Sequence, residues 1–452
     1  MPRPALLDLS LRRAIFELAW PAMASTMLVN VFNLVDAFWV GRLGTAALGG
    51  MTASAFLVWC LLAVGQLVGT GVNAVVARRV GQGASAGAGG TQHMMRAGVT
   101  GGHGLLLALG LAAATMISTL PVREQILGSL GLADAVRQAA SDYLTPILYG
   151  FPAITAWFAL EGLYRGSGDT RTPMAVLGAT LVLNAALDPV LIFGWGPVPA
   201  LGIAGAAWAT VASHVVGVLI ALRLLRGRSV APRLDRLDAA LLWTLVRVGA
   251  PVAVSSFLFS VIYIVLTRII ATYGGTALAA VGVGHRVEGL VYFTCLGFSA
   301  SAATLVGQHL GARQPERAER AAWLATGYAA AITFGLALLF YLAAPGIYRI
   351  FSEDPVVMRE GTAYLRIIAL FEVGTAFELV LEGAFAGAGN ALPPMLVCVP
   401  LTALRVPAAH VLARRVNLGS RGIWWAISGT TAIKGIVMAA WFRLNRWKQA
   451  QV

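Results

Sequence analysis

Two acids stand in segments of this sequence that leave little room for water. Asp36 lies in the apolar stretch Pro21–Gly44, PAMASTMLVNVFNLVDAFWVGRLG, and Asp188 lies in NAALDPVLIFG, Asn184–Gly194. A charge at mid-membrane costs roughly 2.5–3.5 kcal/mol on an insertion scale, so such an acid is kept where it faces a cavity, a partner or an ion. Asn184 precedes Asp188 by four residues and Ala206 precedes Thr210 by four, a spacing that puts each pair on one helix face. With the span directions set out below, Asp36, Asp188 and Thr210 each fall about five to eight residues from the same membrane surface, or about 8–12 Å at 1.5 Å per residue. Two carboxylates, an amide, a hydroxyl and the carbonyl of Ala206 can then converge. Such a set can share and release a proton, or it can form a hard-ligand cage for a small cation such as Na⁺. The residue types leave both open. Each residue also has a purely structural use: Asp36 could tie two helices together, Asp188 before Pro189 could end a helix, and Thr210 could bond back to its own backbone.

The elements that must position these groups are membrane helices. Of 452 residues 58% are hydrophobic and 12% charged, with a mean hydropathy of +0.76, whereas about a quarter of a soluble chain is charged. Apolar stretches of at least about 18 residues predict about twelve spans, near 14–41, 46–77, 96–120, 138–163, 173–194, 202–225, 241–271, 277–307, 321–344, 362–386, 394–415 and 422–443. The longest breaks fall around 78–95 and 226–240. The fold class expected is an all-α polytopic membrane protein. The run after Arg12 and Arg13 extends to Val40, too long for a cleaved signal peptide, and reads as a retained first span. The net charge of +13 comes mostly from arginines in short loops, densest at Arg223, Arg226, Arg228, Arg233 and Arg236. That bias predicts an inner-membrane protein with both termini cytoplasmic. It does not suggest nucleic acid as a partner, since no basic stripe is interleaved with stacking aromatics. Cys60, Cys295 and Cys398 all sit in apolar segments, where they suit buried small hydrophobes and offer no metal-ligand spacing.

The chain repeats itself. An offset of 230 pairs Pro21 with Pro251, Ser25 with Ser255, Leu28 with Leu258, Val35 with Val265, Gly44 with Gly274 and Gly81 with Gly311. EGLYRGSGDTRTPM, Glu161–Met174, returns as EGAFAGAGNALPPM, Glu382–Met395, and LGIAGAAWA, Leu201–Ala209, returns as LGSRGIWWA, Leu418–Ala426. Six spans per repeat gives two pseudo-symmetric six-helix lobes of the same orientation, residues 1–226 and 241–452, joined by a linker at 227–240. That is a two-lobed transporter plan with a site between repeats. At the paired positions Asp36 becomes Leu266, Asn184 becomes Arg405, Asp188 becomes Ala409 and Thr210 becomes Ile427. The second half keeps the helices and lacks the polar cluster, so the sequence puts ion coupling in the first half.

VDAFWVGRLG (Val35–Gly44), RGSGDTRTPM (Arg165–Met174), NAALDPVLIFG (Asn184–Gly194) and GIAGAAWAT (Gly202–Thr210), taken with the repeated half, resemble the multidrug and toxic compound extrusion (MATE) family. Within it the chain looks most like the bacterial branch of DNA-damage-inducible protein F. The resemblance covers nearly the whole chain. It implies a secondary antiporter, not an enzyme, that exports amphipathic, often cationic drug-like compounds by alternating access. It also implies H⁺ or Na⁺ coupling at Asp36, Asn184, Asp188, Thr210 and Ala206, with H⁺ the first reading, and no cofactor. The expected partners are these small substrates and membrane lipids, and the expected state is a monomer. Arg286, Glu288, Arg405 and His410 are candidates for lining the substrate cavity. Pro21 is a candidate hinge, because a proline inside a helix removes a backbone hydrogen bond. The alternatives are a lipid-linked precursor flippase of the same superfamily and, from another class, a polytopic lipid-processing enzyme.

Overall fold

The computed structural model describes residues 6–86 and 90–450. The apolar segments fold as helices, because backbone in lipid must satisfy its own N–H and C=O groups. They are α1 (Leu11–Gly41), α2 (Thr45–Ser85), α3 (Gly90–Thr119), the short α4 (Arg123–Gly128), α5 (Asp134–Gly166), α6 (Arg171–Phe193), α7 (Ile203–Leu225), α8 (Ala239–Ala271), α9 (Gly275–Gly311), α10 (Pro315–Phe351), α11 (Pro355–Ala369), α12 (Val373–Gly387), α13 (Leu392–His410) and α14 (Ser420–Phe442). Among the described residues, eleven helices are long and apolar enough to cross a membrane.

Two segments differ from the reading of the sequence. The span expected at 362–386 is divided, with α11 and α12 of 15 residues each. After the break, α12 passes so near α14 that a Cβ on Gly374 would lie 3.0 Å from the Thr431 carbonyl, and one on Gly435 would lie 2.8 Å from the Gly374 carbonyl. The break expected at 78–95 is mostly helix, since α2 runs to Ser85 and α3 begins at Gly90; residues 87–89 lie outside the described residues. At 41 residues α2 is about twice the length needed to cross.

The chain forms two compact units whose limits are not the sequence halves. One is Ala24–Ala253, and the other joins the chain up to Met23 to the chain from Val254 onward. Both changes of unit occur inside helices, two residues after Pro21 in α1 and two after Pro251 in α8. The segment expected to link two lobes therefore belongs to the first unit. It lies against α3, where the Arg233 N–H donates to the Gly98 carbonyl at 3.1 Å and a side chain at Gly102 would strike the Arg233 carbonyl.

In the Ala24–Ala253 unit, α2 and α5 meet at small residues: a Cβ on Gly162 would run into the Gly69 carbonyl, and one on Gly69 would lie 3.0 Å from that of Phe158. Without a hydrophobic force between helices in lipid, such close approach supplies the packing. Val68, Val72, Val76, Leu160, Leu163, Leu241 and Leu245 fill the core around it. The other unit is built on larger rings. Tyr364 meets Trp424 edge-on at 4.9 Å, the Tyr348 hydroxyl donates to the Ala280 carbonyl at 2.5 Å, and Ala14, Ile15, Leu18 and Ala19 of α1 join the same core.

Candidate functional site

The Ala24–Ala253 unit brings Asp36 of α1, Asn184 and Asp188 of α6 and Thr210 of α7 into one buried cluster. Asn184 and Asp188 are fully buried, Asp36 is 2% exposed and Thr210 9%. The Thr210 hydroxyl donates to Asp36 Oδ2 at 3.1 Å and lies 3.1 Å from the Ala206 carbonyl. Asn184 Nδ2 donates to Asp188 Oδ1 at 3.3 Å. The side chains of Asn184 and Asp188 are near enough to the Asp36 carboxyl to interact with it electrostatically. The helices can approach because Gly205, one residue before Ala206, sets its Cα against the backbone of Leu191 and Ile192.

Three acceptor oxygens of this cluster have no donor among the described residues: Asp36 Oδ1, Asn184 Oδ1 and Asp188 Oδ2. Buried acceptors without donors are costly, and a proton or a small cation would satisfy them. Two neighbours were not singled out from sequence. His214, one turn beyond Thr210, turns Nδ1 to the Thr210 carbonyl at 2.8 Å, and Tyr143 of α5 is close enough to feel both carboxyls. The spacing of His214 from Thr210 was the available signal; nothing marked Tyr143.

At the repeat positions in the other unit, Leu266, Ala409 and Ile427 are packed in the apolar core, and Arg405 is 3% exposed. The Arg405 guanidinium is held by hydroxyls: Nη1 donates to Tyr263 at 2.6 Å, Nε to Thr430 and Nη2 to Thr431, both at 2.8 Å. Arg286 and His410 are exposed, and Glu288 is partly buried beside Tyr364. Glu378 and Lys434 were not anticipated. They form a buried ion pair at 2.5 Å between α12 and α14, with side-chain exposures of 12% and 2%. Their membrane depth could have marked each as unusual, but not as partners.

A family model described as MatE matches residues 21–190 and 251–411. The chain belongs to this family, which comprises membrane transporters and not enzymes. The two matched segments begin at Pro21 and Pro251, the first pair of the internal repeat. The chain is 28% identical over 455 residues to the probable multidrug resistance protein NorM of Thermotoga maritima, covering 98% of this chain and 94% of that one. Among solved structures, it resembles a MATE protein in a straight conformation with a TM-score of 0.89 and 27% identity, over 98% of both chains. It resembles a bent conformation with a TM-score of 0.88 and 26% identity, over 97% of this chain and 96% of that one.

Proposed function

We propose that this chain is a bacterial inner-membrane multidrug efflux antiporter, exporting amphipathic, often cationic organic compounds in exchange for H⁺. The NorM relatives support the substrate class. The observation that carries the coupling reading is the pair of neighbouring acids Asp36 and Asp188, both buried and each with one oxygen that has no donor among the described residues. Two carboxylates buried near each other repel and lack donors, so a proton on one of them relieves both costs. A proton taken up from outside and released inside, with drug taken up inside and released outside, gives antiport when occupancy by one excludes the other. The chain acts as a monomer in lipid, with both termini cytoplasmic.

Pro21 supplies the place where coupling reaches the rest of α1. It lies fifteen residues from Asp36, about 22 Å along the helix and near the same azimuth after about four turns. The passage of α1 from one compact unit to the other just after Pro21 supports this reading. A change in the partners of Asp36 then acts on a segment already short of one backbone hydrogen bond.

The same oxygens could hold Na⁺, and one experiment separates the two. In proteoliposomes with the membrane potential clamped, a pH gradient imposed alone drives ethidium accumulation and a Na⁺ gradient imposed alone does not. Drive by Na⁺ at uniform pH would replace the proton reading with the cation cage.

A further inference from the structure

A pocket of about 400 Å³ opens beside the end of α2, lined by Arg78, Arg79 and Gln82 of α2, Arg96 of α3, and Asp238 and Leu241 at the start of α8. Three guanidiniums face one carboxylate there, and that carboxylate is already in use. Asp238 Oδ1 accepts the Leu241 N–H at 3.0 Å, capping α8, while the Asp238 N–H donates to His103 Nε2 at 2.9 Å. Arg79 Nη1 donates to the Arg96 carbonyl and to the Thr100 hydroxyl, each at 2.5 Å. Those bonds fix the head of Arg79 against α3 and leave its Nε and Nη2 without partners among the described residues. Neither Arg79 nor Arg96 forms an ion pair among the described residues.

Positive heads gathered in a partly desolvated pocket repel one another, and an anion placed among them turns that repulsion into attraction. The planar guanidinium fork matches the oxygens of a phosphate, and two such forks can hold one phosphate from two sides. The Gln82 amide adds a neutral donor beside them. Basic pockets between membrane helices are suited to phospholipid headgroups. We propose that this pocket is a binding site for a phosphate-ester anion, gripped by Arg79 and Arg96 with Arg78 and Gln82 alongside, and that it lies outside the ion-coupling cluster. The ligand is either the headgroup of an anionic phospholipid or a soluble phosphate.

The test uses the full-length protein as wild type, Arg96→Gln and Arg236→Gln. The Arg96 side chain is exposed, so its loss spares the packing, and exposed Arg236 controls for general charge. Each protein is placed in phosphatidylcholine nanodiscs with and without phosphatidylglycerol, with retained lipid read by native mass spectrometry, and is titrated in detergent with inorganic phosphate while melting is followed. Wild type and Arg236→Gln should retain phosphatidylglycerol, and Arg96→Gln should bind it about tenfold more weakly, as for loss of one charge-assisted contact. If inorganic phosphate alone stabilises wild type and not Arg96→Gln, the site stands with a soluble ligand. Binding of neither probe, or equal binding by wild type and Arg96→Gln, overturns the proposal.

Discussion

Under the proposed proton coupling, the Asp36 and Asp188 pair would set how steeply drug accumulation follows a pH gradient. Two neighbouring carboxyls buried in one cluster accommodate one proton between them. One exchangeable proton per cycle makes each pH unit worth about 1.4 kcal/mol, a factor of about ten in the drug concentration ratio when the membrane potential is clamped. A plot of log accumulation ratio against the imposed pH difference should therefore have a slope of about one. Asp36→Asn keeps the size of the side chain and an acceptor for the Thr210 hydroxyl, and its amide can donate to Asp188 in place of the shared proton. For this variant we expect a slope near zero, with drug still bound and the protein still folded. The assay is ethidium uptake into proteoliposomes over gradients from zero to about two pH units, with drug binding to the same preparation followed by fluorescence polarisation. A wild-type slope near two would mean that the acids release protons independently. A slope of one in Asp36→Asn would remove Asp36 from coupling. Either result would refute the shared-proton argument.

Three further expectations concern stability and the asymmetry of the repeat. Lys434→Met should destabilise the protein by about 3–5 kcal/mol, because it leaves Glu378 buried without its cation, and adding Glu378→Gln should restore most of the loss in detergent melting curves. Leu266→Asp places an acid in a packed apolar site, so folded yield by size-exclusion chromatography should fall, while the accumulation slope of the protein that survives stays at one. Asp169 stands in the turn between α5 and α6; burial pushes its carboxyl up, but bonds from Thr172 and the Arg228 guanidinium outweigh that and hold it below its usual 3.8. Its contribution is thus present above about pH 4 and lost as pH falls further, so Asp169→Ala should cost about 1 kcal/mol near neutrality and flatten the acid limb of a melting series.

The spans and the repeat were legible because a bilayer imposes one length and one composition on every crossing segment, and a duplication at offset 230 leaves its prolines and glycines in register. The depth argument was enough to group Asp36, Asp188 and Thr210, because α-helical rise turns sequence distance into distance from the membrane surface. Depth carries no information on azimuth between helices. That is why Tyr143, on a helix with no polar pattern pointing to the cluster, went unmarked. The Glu378–Lys434 pair shows the same limit, with the partners 56 residues apart on different helices. The division of the tenth span accompanies a close approach of α12 to α14 at Gly374 and Gly435, a contact that is tertiary information. The passage of α1 and α8 between compact units was hidden for another reason: each helix is continuous in hydropathy through its proline, and only packing shows which side of the proline belongs where.

That exchange of helix ends makes the two translated halves mutually dependent. A chain severed between Arg228 and Asp238 would yield an N-terminal fragment without Leu241 and Leu245, which complete the core around Val72, and a C-terminal fragment without Ala14, Ile15, Leu18 and Ala19, which join the core containing Phe298. Neither fragment would own a finished core, yet each would carry the piece its companion lacks, as in the arms of a domain-swapped pair. Expressed alone, each would present unfilled apolar surface to the quality-control machinery of the cell. Expressed together, they have a physical reason to find each other and to stay associated without a peptide bond between them.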